Sequence, residues 1–156
     1  MQFMTFVEKY TERDYILSDN RRKLISLSDK GESRKYLVNN SHEQRIVVYR
    51  VDGGVIADTT QPKCDFALWT EQNILYFVEL KGGDYSKALS QLYNTIIKLV
   101  QLPNITTKEV HARIVLSNGR AIKAAVANTH EAKLLKLVKK YKGKLVKASQ
   151  QYTETI

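Results

Sequence analysis

The sequence predicts a mixed α/β (α+β) fold, a mixed β-sheet flanked by helices. Three observations predict it. Runs rich in Val, Ile, Tyr and Phe (RKYLVNN, QRIVVYRVDGG, CDFALWT, NILYFVELKG) crowd residues 34 to 83 and are separated by turn residues. From Asp84 the apolar period changes from two to between three and four, and VHARIVLSNG then returns to a β pattern. A second amphipathic segment opens at Thr129. Strands, helix, strand and helix in that order favour helices packed on a mixed sheet.

Taken in order, residues 1–30 are polar and weakly patterned, and predict a short helix or irregular arm ending near Lys30-Gly31. RKYLVNN and QRIVVYRVDGG lie either side of Ser41, His42 and Glu43, with Asn39-Asn40 and Gly53-Gly54 as turn signals, and predict a hairpin. CDFALWT and NILYFVELK, broken by Glu71-Gln72, predict a second strand pair. Tyr85, Ala88, Leu89, Leu92, Ile96, Leu99 and Val100 share one helical face over roughly 84–102, with Asp84 as N-cap and Pro103 as the stop. In the helix from Thr129, Leu134, Leu135, Val138 and Tyr141 are expected inside and Lys133, Lys136 and Lys140 outside. KGKLVKAS predicts a last edge strand.

A chain of 156 residues, 43% hydrophobic, is long enough for one domain with a substantial core. That domain divides into the arm at 1–30, a core at 34–117 and a basic helix and edge segment at 120–147. No window carries the ~20 apolar residues of a membrane helix, and MQFMTFVEKY lacks the blocks of a signal peptide, so a cytoplasmic protein without membrane partners is expected. One cysteine, Cys64, excludes an internal disulfide and a cysteine-rich zinc site, and is expected to be a buried small hydrophobe.

The net charge is +9, and its location matters more than its size. Residues 1–119 hold 16 basic and 14 acidic side chains, whereas 120–147 hold nine basic residues and only Glu131. Such a block attracts phosphate backbones, or it is a solvated helix face that keeps the protein soluble. Arg120, Lys123, Lys133, Lys136 and Lys140 are the candidate nucleic-acid contacts.

ILYFVELKGG, residues 74–83, carries the strongest chemical signal. Side chains on one strand face recur every second residue, so Glu79 and Lys81 project together from an otherwise oily strand. If the two strands turn about Gln72, with paired residue numbers adding to 144, Asp65 lies across from Glu79. Opposed residues have Cβ atoms only about 5 Å apart, and two carboxylates so placed repel. A divalent cation, Mg²⁺ or Mn²⁺, removes that repulsion, because hard oxygen ligands suit it and water and phosphate fill its remaining positions. The carbonyl of Leu80 is a further candidate oxygen, and Lys81 is placed to orient water or to stabilise charge on phosphate. The bland alternative is a charge pair between Lys81 and either acid at an exposed sheet end.

Asp65, thirteen intervening residues and Glu79-Leu80-Lys81 at the end of an apolar strand followed by a helix resemble the PD-(D/E)XK nuclease superfamily, with its restriction-endonuclease-like fold. Small Holliday-junction resolvases and RecB-type nuclease domains are the most similar members in size and order of elements. The resemblance covers residues 34–117 and implies an αβββαβ core and an Mg²⁺- or Mn²⁺-dependent hydrolase of phosphodiester bonds. It implies DNA as the substrate, a homodimer as a plausible assembly, and metal and catalytic roles for Asp65, Glu79 and Lys81. Gln91, on the following helix, matches a polar residue that many members place near the active site. The proline-aspartate pair of the family name is absent, Pro62 standing three residues before Asp65. For an additional acid, Glu8, Glu12, Glu32 and Asp52 are candidates, Asp52 also reading as part of an Asp-Gly turn.

The competing expectation keeps the fold and drops catalysis: a binding module, such as a nucleic-acid adaptor or a toxin-neutralising partner protein. His42, His111 and His130 have no metal-ligand spacing and are expected at the surface or at caps. Gly82-Gly83 ends a strand and is not a P-loop. Tyr85, Tyr93 and Trp69 are expected to pack against the sheet.

Overall fold

The computed structural model describes residues 3–29, 33–117 and 129–156. A four-residue helix α1 (Phe6–Lys9) and a 3₁₀ turn precede β1 (Ile16–Asn20), β2 (Leu24–Leu27), β3 (Lys35–Asn39), β4 (Ile46–Arg50), β5 (Phe66–Thr70) and β6 (Ile74–Lys81). Then come α2 (Tyr85–Ile96), β7 (Glu109–Leu116), α3 (Thr129–Lys140), β8 (Leu145–Ser149) and β9 (Gln151–Thr155). The mixed α+β class predicted from the sequence is the class observed.

Six strands form one sheet in the order β1-β4-β5-β6-β7-β8, and three form a second in the order β2-β3-β9. β4, β5 and β6 run antiparallel, and β7 returns parallel to β6 after α2. Alternation sorts the large sheet into two oily faces. Val47, Tyr49, Trp69, Phe77 and Ile114 pack with Phe6, with Leu89 and Leu92 of α2 and with Leu134 of α3. Val48, Leu68, Val78 and Val115 pack against Ile25, Tyr36 and Val38 of the small sheet. The large sheet is therefore covered on both sides, which explains why β5 and β6 read as continuous apolar runs.

Several local expectations hold. The side chain of Asp84 accepts from the Lys87 N–H at 2.9 Å and starts α2, which continues as a π turn over Ile97–Gln101. Lys133, Lys136 and Lys140 are exposed on α3, and β8 is an edge strand of the large sheet. Cys64 is fully buried, and Tyr85 and Trp69 are buried against the large sheet. Among the described residues no helix is long and apolar enough to cross a membrane.

Other expectations are corrected. β3 and β4 do not form a hairpin: β3 pairs with β2 and β9, and β4 with β1 and β5, so the chain between them changes sheets. Asn40 makes that passage possible, because its amide donates to the carbonyls of Arg22 and Gln44 and accepts from the Gln44 N–H. The amino-terminal region holds the expected short helix, α1, but beyond it supplies β1 and β2 in place of an irregular arm. In α3 the inward positions are Leu134, Leu137 and Val138, while Leu135 is 45% exposed. His111 is buried, stacked on Tyr76, with Nδ1 accepting the Lys144 N–H and Nε2 facing Glu109.

The two sheets are joined by a polar contact as well as by oil. Arg113 of β7 meets Glu154 of β9 at 2.6 Å, with the two side chains only 6% and 10% exposed, and the Tyr36 hydroxyl donates to the same carboxylate at 2.8 Å. Arg113 also donates to the carbonyls of Ala112 and Lys144. Removing one partner strands a buried cation, so Glu154→Ala is expected to cost about 3–5 kcal/mol. Urea unfolding, with Glu154→Gln as the milder comparison, measures it.

Candidate active site

The register of β5 and β6 is the one on which the sequence argument turned. Phe66 pairs with Val78, Ala67 with Phe77, Leu68 with Tyr76 and Trp69 with Leu75, so paired numbers add to 144. Just before β5 the chain bends at Asp65, whose N–H donates to the Val78 carbonyl and whose carbonyl accepts the Val51 N–H. The bend lets its side chain reach over the end of β6, where Oδ2 accepts the Leu80 N–H at 2.9 Å. Within a strand the N–H and C=O of one residue point to the same side, so the Leu80 carbonyl also turns towards Asp65.

Glu79 is 2% exposed, and its Oε1 is buried without a hydrogen-bond partner. Burial pushes its acid up to about 9, the charge of Asp65 adds to that rise, and the ammonium of Lys81 opposes it. Burial also raises Asp65, to about 6, against the Leu80 N–H, which favours its charged form. The closeness of the two side chains raises Glu79 and lowers Asp65. Burial and the facing Asp65 charge both favour a proton on the pair at neutral pH. Lys81, half-buried at the strand end, completes the trio.

Further groups shape this end of the sheet. Asp29, two residues beyond β2, bears on both Asp65 and Glu79 through its charge, and Asp52 bears on Asp65. Asp52, one of the acids singled out in the sequence, pairs at 3.9 Å with Lys63, whose buried ammonium also donates to the Asp58 and Gln61 carbonyls. Asp29 was not singled out, because it sits in a polar stretch whose strands the pattern did not reveal. Glu8 is occupied as the partner of Thr5 in a capping box, Glu12 is exposed, and Glu32 lies outside the described residues.

Gln91 stands one step back. Its Nε2 donates to the Lys63 carbonyl at 3.1 Å, and its Oε1 is buried without a partner. With the Thr95 hydroxyl accepting the Cys64 N–H at 2.9 Å, it ties α2 to the two residues before Asp65. Its observed contact is thus with the backbone that presents the carboxylate. Lys133, Lys136 and Lys140 lie along α3, which starts beside the site, where Glu131 bonds the Tyr85 hydroxyl, and runs away from it. At the far end the Tyr141 carbonyl accepts the N–H of Val110, at the start of β7, whereas Lys81 is level with Leu116 at that strand's end. Arg120 and Lys123 lie outside the described residues.

The residues present fit a divalent cation. A buried carboxyl pair that keeps one proton at neutral pH, with one oxygen unpartnered, offers hard oxygens whose charge asks for neutralisation. Among the described residues no group of three or more His, Cys, Asp and Glu side chains is arranged to hold a metal; Asp65, Glu79 and the Leu80 carbonyl are the oxygens that would hold one. No family model matches the sequence, and no curated protein or solved structure matches the chain.

The proton on Glu79 makes a stability prediction with a definite sign. The native acid holds its proton to about pH 9, whereas the unfolded one loses it near 4.5. The folded state thus binds more protons across that window, and the stabilisation linked to Glu79 is full below pH 4.5 and is lost as the pH rises through about 9. Glu79→Gln, which cannot ionise, is expected to gain on the parent protein steadily between those limits. Thermal melts in EDTA across the range measure the difference.

Proposed function

We propose that this protein is a divalent-metal-dependent nuclease that hydrolyses phosphodiester bonds, with DNA as the expected substrate. The observation that carries the reading is the convergence of Asp65, Glu79 and Lys81 at the end of β6, with the two carboxyls held together by backbone bonds. The order β4-β5-β6-α2-β7 supports it, since three antiparallel strands, a helix and a parallel strand follow the resemblance from its first strand onward. A four-residue α1, β1 of the large sheet and β2 and β3 of the second sheet precede that core, a departure from a simple αβββαβ order.

In this reading Asp65, Glu79 and the Leu80 carbonyl hold Mg²⁺ or Mn²⁺. When bound, such an ion supplies Lewis acidity towards a phosphoryl oxygen and lowers the pKa of a water. The chain's own residues do the rest. Asp65 is fixed by the Leu80 N–H and so keeps its orientation through turnover. Glu79 would serve that ion as an ionised carboxylate, its proton given up to solvent. Lys81, on the same strand face as Glu79, orients the attacking water or offsets charge growing on the phosphate. Gln91 is a positioning residue that acts through the Lys63 backbone.

Cleavage of plasmid, branched DNA and RNA in Mg²⁺ and Mn²⁺ tests the proposal. Glu79→Ala and Lys81→Ala are each expected to lower the rate by at least about 10²-fold while leaving substrate binding nearly intact. Unchanged cleavage in either variant removes the assignment. Titration calorimetry in buffers of different ionisation enthalpy is expected to show about one proton released per cation at neutral pH, because the carboxyl pair must give up its shared proton. Silence in every assay, with nucleic acid or a protein still bound, favours the inactive binding module.

A further inference from the structure

A groove of about 230 Å³ opens where β2 of the small sheet passes β1 and β4 of the large one, and its lining is unlike that of the other surfaces near the site. Arg22 and Arg50 line it together with Ser18, Ser26 and Ser28, and among the described residues no Asp or Glu lines it. Arg50 is exposed, and among the described residues it has no ion-pair partner. The side-chain contacts of Arg22 are with the neutral Asn20 amide oxygen. Two guanidinium groups with no acidic partner among the described residues, and serines beside them, are the chemistry that binds a phosphate.

Its position gives this chemistry a purpose. Ser28 is next to Asp29, whose charge reaches both Asp65 and Glu79. Arg50 pairs with Phe66, the residue after Asp65. One end of the groove therefore opens at the same end of the large sheet as the carboxyl pair, on the small-sheet face whereas Glu79 lies on the helix face, and the other follows β2 back towards Arg22. The α3 lysines, by contrast, are carried away from the pair.

We infer that this groove seats backbone phosphates of the substrate strand as it enters the carboxylate site, with Arg22, Arg50 and the serine hydroxyls as the contacts. The inference rests on the nuclease reading for the word substrate, and on the groove's own lining for the phosphate. It makes one strand the recognised unit, because the groove is narrow and lined without aromatic platforms other than Phe66.

The test is binding of a fluorescent single-stranded oligonucleotide to the full chain in EDTA, followed by anisotropy as salt is varied. Removing two phosphate contacts in the double variant Arg22→Gln, Arg50→Gln is expected to reduce the slope of log affinity against log salt by about 1.4 and to weaken binding by about tenfold. Ser26→Glu, which adds a negative charge without removing an arginine, is expected to weaken binding similarly and decides the matter if the double variant melts early. An unchanged slope and affinity in the folded variants overturns the inference. Side-chain NMR signals of Arg22 and Arg50 that move with the oligonucleotide and stay still with inorganic phosphate support a strand seat. Signals that move with inorganic phosphate alone identify a small-anion site and overturn it. Cleavage by the parent protein with variants of unaltered salt dependence sinks the groove and leaves the nuclease. Groove-dependent binding with no cleavage supports the groove and sinks the nuclease.

Discussion

Two carboxyl groups held within hydrogen-bonding reach by the backbone are the constraint around which this molecule is built. Asp65 cannot swing away, because its N–H, its carbonyl and its side chain are each engaged, with Val78, Val51 and the Leu80 N–H. Glu79 cannot either, being a buried residue in the middle strands of a six-stranded sheet. Repulsion between them is therefore relieved by a positive charge and not by movement. A proton meets that demand in the free protein, and under the proposed function a divalent cation would meet it with more charge. The cost of keeping an acid neutral in an oily strand is a reason to look for chemistry there.

The second sheet gives that site its surroundings. β2, β3 and β9 cover the face of the large sheet that the helices leave bare, and the Arg113–Glu154–Tyr36 contact fixes how the two sheets sit. A buried pair of this kind adds little net stability over an oily contact, but it penalises any slip that would separate the charges. Fixing that relation fixes where β2 ends, and so where Asp29 and the groove at Arg22 and Arg50 stand relative to Asp65 and Glu79. Stability of the sandwich and geometry of the site are thus set by the same contact.

The elements that sequence alone revealed are those with one dominant local cause. The β5–β6 register follows from a short polar break between two long apolar runs, and with it came Asp65, Glu79 and Lys81 as a trio. The start of α2 follows from Asp84, and its inward face from spacing. What escaped was decided by partners far away in the chain. β3 and β4 are neighbours with turn residues between them, yet Tyr36 and Val38 bury against β4 from another sheet, an outcome that local pattern cannot separate from a hairpin. β1 and β9 are half exposed, so their polar sequences carry little alternation to read. His111 looks like a surface residue until Tyr76 covers it, and Asp29 acquires meaning only when β2 is brought to the sheet's end.

Net charge is silent on position in a similar way. Residues 1–119 are nearly balanced, which directs attention to the lysines of α3. Balance in number is not balance in space. Arg45 is neutralised by Asp19 and Arg21 by Glu71, with Glu43 near Lys23, all on the surface around the β4–β5 edge. Those acids are consumed locally, and Arg22 and Arg50 are left facing a groove without one. A strand of phosphates responds to the field within about 10 Å, not to the sum over the chain. The groove inferred to seat phosphates is therefore drawn from the segment whose composition looks neutral.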